Sequence, residues 1–443
     1  MNDVSHKLYI VHCVDTEGPL YESLQESFTR LSDIYGIELE PTKENLLRIQ
    51  NQEIDFDGNE VNIAKAFSKH LINYNDNWKK IDLMLSNIMS YEYRSKFLDS
   101  LGNGIIYNWH CLDHVGYDSN IRKKEMGYGK IFEYYCQKIK EHDAPDKIYW
   151  HFHPTAYSKA AHLSSTSYDN SYEKLHQILS RRVIDNNWFP VINRAGFHAI
   201  RQDSSFFLEQ WIPFDYSNQS LLSKCTEKTR RVGYGIWHRA PKEWVPFHPS
   251  YEDYQLPGNM NRLTTKCLNI GTRENLLDDN EIEFAFQNAQ EYGSAILSFT
   301  NHDFRDMSLD VDDIYKRIHT ISAKYKNVEI INSDAKHAMQ KVMFEDIEVT
   351  DNKIKLKSEV ILEDGLHKLI VWCENGLVFG SQPYLAIKTI SGEYYHDNLY
   401  EKKVGFSWEY VFDKSSIEIQ EIEKIGVASN DKYGNQSISF PIF

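Results

Sequence analysis

The sequence predicts an α/β fold: parallel βα units in an open sheet or a (β/α) barrel, with a long helical insertion after strand one, followed by a C-terminal antiparallel β-sandwich domain. Three observations predict it. From about residue 100 to residue 343, strand-like and helix-like stretches alternate, and such alternation builds parallel βα units. Residues 20–100 instead read as polar, helix-spaced sequence. From residue 344 onward short alternating segments follow one another with turn signals and no helix between them, the pattern of a sandwich. A length of 443 residues suggests roughly two or three domains, and the expected division is 1–343 and 344–443.

The elements justify this in order. Residues 7–14 form a β-rich run, ended by the turn punctuation of Gly18 and Pro19. Within 20–100, apolar residues at Ile81, Leu83, Leu85, Ile88 and Met89 are read as helical spacing. Strands are expected at 104–110, 147–153, 188–193, 233–238, 294–300 and 327–331. Helices are expected at 129–141, 171–182, 204–210, 279–292 and 311–325. In the tail, strands are expected at 354–362, 366–373, 384–389, 406–412, 417–419 and 425–429. Turns at 351–352, 364–365, 375–376, 391–392 and 433–435 separate them. The turn at 431–435 is similar to a hairpin of immunoglobulin-like modules.

Composition narrows the function. Hydrophobic residues are 41% and charged residues 26%, so the chain is globular and neither fibrous nor disordered. A net charge of −15 argues against nucleic acid or anionic lipid as partner. No apolar run approaches the ~20 residues of a membrane span. Six scattered cysteines without a CxxC pair, and no basic-then-apolar leader, make a cytoplasmic protein the expectation. The glycine pairs Gly102/Gly104 and Gly233/Gly235 lack the third glycine of a dinucleotide fingerprint. There is no P-loop, HExxH or GxSxG.

Four strand ends carry chemistry. Asp15 and Glu17 stand two residues apart, and on a strand i and i+2 share a face; an isolated DxE is otherwise an ordinary turn. His151 and His153 repeat that spacing before Pro154. Two imidazoles on one face suit a divalent ion such as Zn²⁺, although a satisfied core histidine beside a surface one fits the pattern equally. With a carboxylate nearby the balance moves to metal, because two His and one carboxylate with an open position is the usual catalytic zinc set. His302 ends a late strand, where it reads as a proton carrier or as part of a polar helix start. Arg194, in Asn193-Arg194-Ala195-Gly196, reads as a two-pronged carboxylate holder or a structural ion pair.

This order of motifs is similar to that of the NodB-type polysaccharide deacetylases (carbohydrate esterase family 4-like), over roughly residues 7–340. The resemblance implies metal-dependent removal of N- or O-acetyl groups from sugars on a distorted barrel. It assigns Asp15 as general base, Glu17, His151 and His153 as metal ligands, Arg194 as the residue positioning the base, and His302 as general acid. The implied cofactor is a divalent metal, foremost Zn²⁺, and the implied partner a carbohydrate or glycan precursor. The chain departs from the family pattern in having Glu17 where Asp is usual, and His-x-His where His-x-x-x-His is usual. His110 and His114 have the wider spacing and are ranked as rim residues that touch substrate or supply a ligand. Two other readings stay open: hydrolysis of a small non-sugar amide at the same metal, and a catalytically degenerate glycan-binding protein.

Overall fold

The first strand sets the architecture. In β1 (His6–Thr16), Tyr9, Val11 and Cys13 join one buried cluster while Leu8, Ile10 and Val14 join another. The strand is therefore buried on both faces, as parallel strands are. The computed structural model describes residues 6–165, 167–223, 235–344 and 353–443.

Nine strands form one parallel sheet that wraps into a nearly closed barrel. They are β1, β2 (Tyr107–Cys111), β3 (Lys147–Phe152), β4 (Ile192–Ala195), β5 (Phe214–Asn218), β6 (Leu263–Lys266), β7 (Leu268–Asn269), β8 (Ser294–His302) and β9 (Val328–Asn332). Two features distort the barrel. The 263–269 stretch changes partner, with β6 on β5 and β7 on β8, and so brings the two ends of the sheet together. β9 pairs only with the first half of β1, and β2 takes the second half. Odd-numbered residues of β1 and β3 and even-numbered ones of β4, β5 and β8 face inward. Tyr9, Tyr149, Ile192, Tyr216 and Ile296 thus share the interior cluster. Ala335, Ala338 and Met339 of α12 (Ala335–Met343) join them at the end where the strands begin.

Helices α7 (Lys130–Glu141), α8 (Tyr172–Asn186), α9 (Gln202–Trp211), α10 (Asp279–Tyr292) and α11 (Ser308–Ser322) connect the strands. Between β1 and β2 lies the expected insertion: α1 (Leu24–Tyr35), α2 (Lys43–Gln50), α3 (Glu60–Ala66), α4 (Lys69–Ile72), α5 (Trp78–Ile88) and α6 (Tyr91–Arg94). Ser23 and Glu26 form a capping box that starts α1. Helices α1 to α3 share a small core built on Phe28, Leu31, Ile49 and Ile63, whereas Ile81, Leu85 and Ile88 of α5 bury against the barrel. At α6, Arg94 donates to both oxygens of buried Asp146 at 2.7 Å, and Asp146 also accepts from the Trp109 indole.

The C-terminal strands form two four-stranded antiparallel sheets. One contains β10 (Lys355–Glu363), β11 (Leu366–Asn375), β14 (Tyr400–Lys403) and β15 (Ser407–Phe412). The other contains β12 (Tyr384–Thr389), β13 (Tyr394–Asp397), β16 (Ile422–Asn430) and β17 (Gln436–Ser439). Leu385, Ile387 and Val427 face the sandwich core, while Tyr384, Ala386 and Ala428 face α8 and the barrel. Asn430 Nδ2 donates to the carbonyls of Pro190 and Trp211 across that seam.

Several expected boundaries move. Of the strand expected at 233–238, residues 233 and 234 lie outside the described residues and 235–238 form no strand. β5 and the β6–β7 stretch supply those staves instead. The outward faces of β5 and β6 are polar yet buried, so they lack the apolar signature: Asp215 accepts from Asn193, Ser217 and Arg262, and Lys266 pairs with Glu281 at 2.5 Å. The strand expected at 188–193 begins only at Ile192, because Trp188 still belongs to the turn that ends α8, its N–H donating to Arg182 O. Residues 417–419 form no strand; a 3₁₀ turn, Ile419–Glu421, leads into β16. Strands β13, β14 and β17 were not anticipated. The expected division after residue 343 falls at the end of α12, and the turn expected at 351–352 lies outside the described residues.

Candidate active site

The register of the sheet lines up the site. Asp15 pairs with His302 of β8 on one side and with His110 of β2 on the other, and His151 pairs with Arg194. All lie where the parallel strands end, the end at which such barrels carry their chemistry.

Asp15 and Arg194 form the most constrained contact. Arg194 Nε donates to both Asp15 oxygens at 2.8 and 3.0 Å, and Nη1 donates to Tyr216 O at 3.0 Å. Arg194 is fully buried and Asp15 is 2% exposed. Burial alone would raise the Asp15 pKa; the Arg194 guanidinium, with His151, His302 and His110, outweighs it and holds the carboxyl below its usual range. Asp15 is therefore an ionised carboxylate in a nearly dry place.

Glu17, His151 and His153 converge beside it, with ligand atoms all within 4.8 Å of one another. The Nε2 atoms of the two histidines face each other at 2.9 Å, and Glu17 Oε1 lies 3.7 Å from His153 Nε2. Tetrahedral zinc with ~2.0–2.1 Å bonds sets two nitrogens about 3.3 Å apart, so the three groups can hold a divalent metal ion with small adjustment. His151 Nδ1 lies 2.8 Å from Arg194 O. Its proton belongs on Nδ1, which leaves the Nε2 lone pair facing the other donors. Burial raises the Glu17 pKa, the Lys124 ammonium and the neighbouring His153 ring lower it, and the lowering wins.

Backbone features fix the trio. Asp303 accepts the Glu17 and Gly18 N–H groups at 2.8 and 2.9 Å, and the Tyr135 hydroxyl at 2.9 Å. Burial nevertheless pushes Asp303 up to about 7. At Gly196 a Cβ would stand 1.8 Å from His153 Cδ2, so only glycine lets that ring sit there. The next residue, Phe197, adopts φ +49°, a rare state for an aromatic residue, and its ring packs 4.2 Å from that of His153.

His302 stands on the rim, its Nε2 3.8 Å from Asp15 Oδ2 and 3.9 Å from Glu17 Oε1. Burial brings it to about 4, against the pull of the two carboxylates. Asp15, Glu17, His151, His153 and His302 all line one cavity. His110 and His114 do not line it. Both are buried, and burial holds each at about 3. His110 lies beneath Asp15 with Nδ1 3.4 Å from Trp150 O, and the His114 ring stands 6.0 Å behind that of His153.

The sequence reading missed Lys124, whose ammonium pairs with Glu17 Oε2, and missed Asp303 and Phe197. Lys124 lies in a polar loop and carries no local signal. Compared with family models, with curated proteins and with solved structures, the chain matches none. Among the described residues no helix is long and apolar enough to cross a membrane.

Proposed function

We propose that the chain is a metal-dependent hydrolase, resembling the polysaccharide deacetylases, that removes an acetyl or related acyl group from a sugar or glycan precursor. One observation carries this reading: an arginine-held carboxylate, Asp15, shares a cavity wall with a convergent Glu–His–His donor set. Glu17, His151 and His153 would hold the ion, for which Zn²⁺ is the proposed identity on donor chemistry. A divalent ion bound there supplies polarisation of the acyl carbonyl and acidification of water.

The chain's own residues do the remaining work. Asp15, ionised and aimed by Arg194, takes the proton of the attacking water. His302, held at about 4, is neutral at neutral pH. It would take that proton from Asp15, whose Oδ2 lies 3.8 Å from its Nε2, and pass it to the departing nitrogen or oxygen. Phe197 and Phe304 line the same cavity and give an apolar surface to the sugar face. In a cytoplasmic setting the substrate would be a precursor of an exported glycan.

A specific observation favours a second reading, a binding protein without turnover. Lys124 already neutralises Glu17, as in a site that balances its carboxylate without a metal. The test is acetate release from N-acetyl sugars and nucleotide-linked sugars by zinc-supplemented protein. Release that is lost in Asp15→Asn supports the hydrolase; release unchanged by that substitution, or none with any acylated sugar, contradicts it.

A further inference from the structure

The cavity has a second wall that the proposed hydrolysis does not use. The chain as a whole is acidic, at −15. Its cavity is lined by five cations, Arg30, Arg122, Lys124, Arg273 and Arg305, against the three carboxylates Asp15, Glu17 and Glu274. Three of the cations have acidic partners: Lys124 has Glu17, Arg30 has Glu22, and Arg122 has Glu26 at 3.1 Å.

Arg273 and Arg305 differ. Among the described residues neither has a carboxylate within 4.0 Å. Arg273 donates from Nε to Ala66 O at 2.8 Å and from Nη2 to Leu71 O at 3.3 Å, both carbonyls of the helical insertion. Arg305 donates from Nη1 to Gly271 O. Its guanidinium lies 4.9 Å from the Phe304 ring centre and 5.5 Å from that of Tyr74, and its Nε is buried with no partner. Arg305 is only 7% exposed. Burial, with the nearby charges of Arg30 and Arg305, brings Arg273 down to about 10. Two neighbouring guanidinium groups with no carboxylate in contact are costly to bury, and the more distant Glu22 only partly offsets the charge at Arg273. An oxyanion between them offsets that cost, and the guanidinium fork matches phosphate or carboxylate in two-pronged fashion.

We propose that Arg273 and Arg305 seat an oxyanion of the substrate, so that the site takes a negatively charged sugar derivative in preference to a neutral one. This rests on the hydrolase reading for the word substrate, but the anion seat itself does not depend on turnover. The arginines stand on the loops after β7 and β8, and the insertion carbonyls orient Arg273. The insertion thus completes the seat. The cavity holds about 210 Å³, below the ~300 Å³ that encloses a drug-sized ligand. A larger leaving portion extends into solvent past this charged wall.

The test is calorimetric binding to the full-length, zinc-supplemented protein. The probes are N-acetylglucosamine, its 1-phosphate, its uridine-diphosphate conjugate and N-acetylmuramate, which separate phosphoryl from carboxylate. The variants are Arg273→Gln, Arg305→Gln and the charge-keeping Arg305→Lys, each checked for folding by circular dichroism and for zinc content. The expected result is at least tenfold tighter binding of one charged class than of the neutral sugar. Each glutamine variant should lose about 10–100-fold for that class, with zinc content and neutral-sugar binding unchanged, and Arg305→Lys should restore part of the loss. Equal affinity for neutral and charged sugars, or glutamine variants that weaken both alike, overturns the proposal. Charged-ligand binding that persists without acetate release would remove the hydrolase reading and leave the anion seat standing. Acetate release at equal efficiency from neutral sugars would do the reverse.

Discussion

Arg194 reaches Asp15 from a strand that does not touch its own. β1 and β4 are separated in the sheet by β2 and β3, yet Arg194 Nε lies 2.8 and 3.0 Å from the two Asp15 oxygens. Only a sheet curled into a barrel brings those inward faces together, so this ion pair ties the closure of the fold to the charge state of the proposed base.

Arg194→Met should therefore cost about 3–5 kcal/mol of stability, because it leaves a buried carboxylate without its counter-ion. Urea unfolding measures this. Asp15→Asn combined with Arg194→Met should be less destabilised than the two single changes added together. Strict additivity would mean that the pair carries no coupling.

Gly196→Ala should keep the barrel folded but displace the His153 ring, since the new methyl would fall 1.8 Å from Cδ2. A shifted ligand typically loses about 10–100-fold in metal affinity. Zinc titration against a competing chelator reads the loss. Unaltered affinity would show that His153 is no ligand.

Asp303→Ala should strand the Glu17 and Gly18 N–H groups that it now accepts. Two buried donors without partners cost about 1–3 kcal/mol each. Thermal melting should fall and zinc affinity with it, because Glu17 loses its anchor, whereas Tyr135→Phe, which removes only the hydroxyl donor, should do much less.

Acid should weaken the fold before the ordinary carboxylates titrate, with Asp303, raised to about 7, opposing the trend by the share of one group. Burial holds His12 at about 4, His176 at about 3 and His396 at about 4, whereas the unfolded chain binds these protons near pH 6.5. The unfolded state thus binds more protons as pH falls. Stability is full above about pH 6.5 and declines toward pH 4, by up to about 1.4 kcal/mol per pH unit for each histidine. His176 and His396 stack at 4.4 Å across the seam between α8 and the sandwich, so part of this loss is localised there. Urea midpoints at pH 7, 6 and 5 measure the slope, and a flat profile would refute it.

What could be read from the sequence was whatever alternation encodes. Asp15/Glu17 and His151/His153 share faces because strand side chains repeat every second residue, and their strand-end position followed from the turn residues after them. Arg194 and His302 were legible as chemical types at strand ends, but their distances to Asp15 depend on the curl of the sheet. Lys124, Arg273 and Arg305 gave no signal and Asp303 read only as a helix-start acid, since each acts from a loop whose approach is fixed by tertiary packing. His110 and His114 show the reverse case: suggestive spacing, but both are buried and neither lines the cavity. β5 escaped because Asp215 and Ser217, buried and mutually bonded, look like loop residues.

Anomalous diffraction from crystals grown with zinc tests the central claim most directly. The account predicts one strong peak within bonding distance of His151 Nε2, His153 Nε2 and Glu17 Oε1, with Asp15 beside it and still held by Arg194. Density that leaves this place without an ion while Lys124 stays on Glu17 would contradict it.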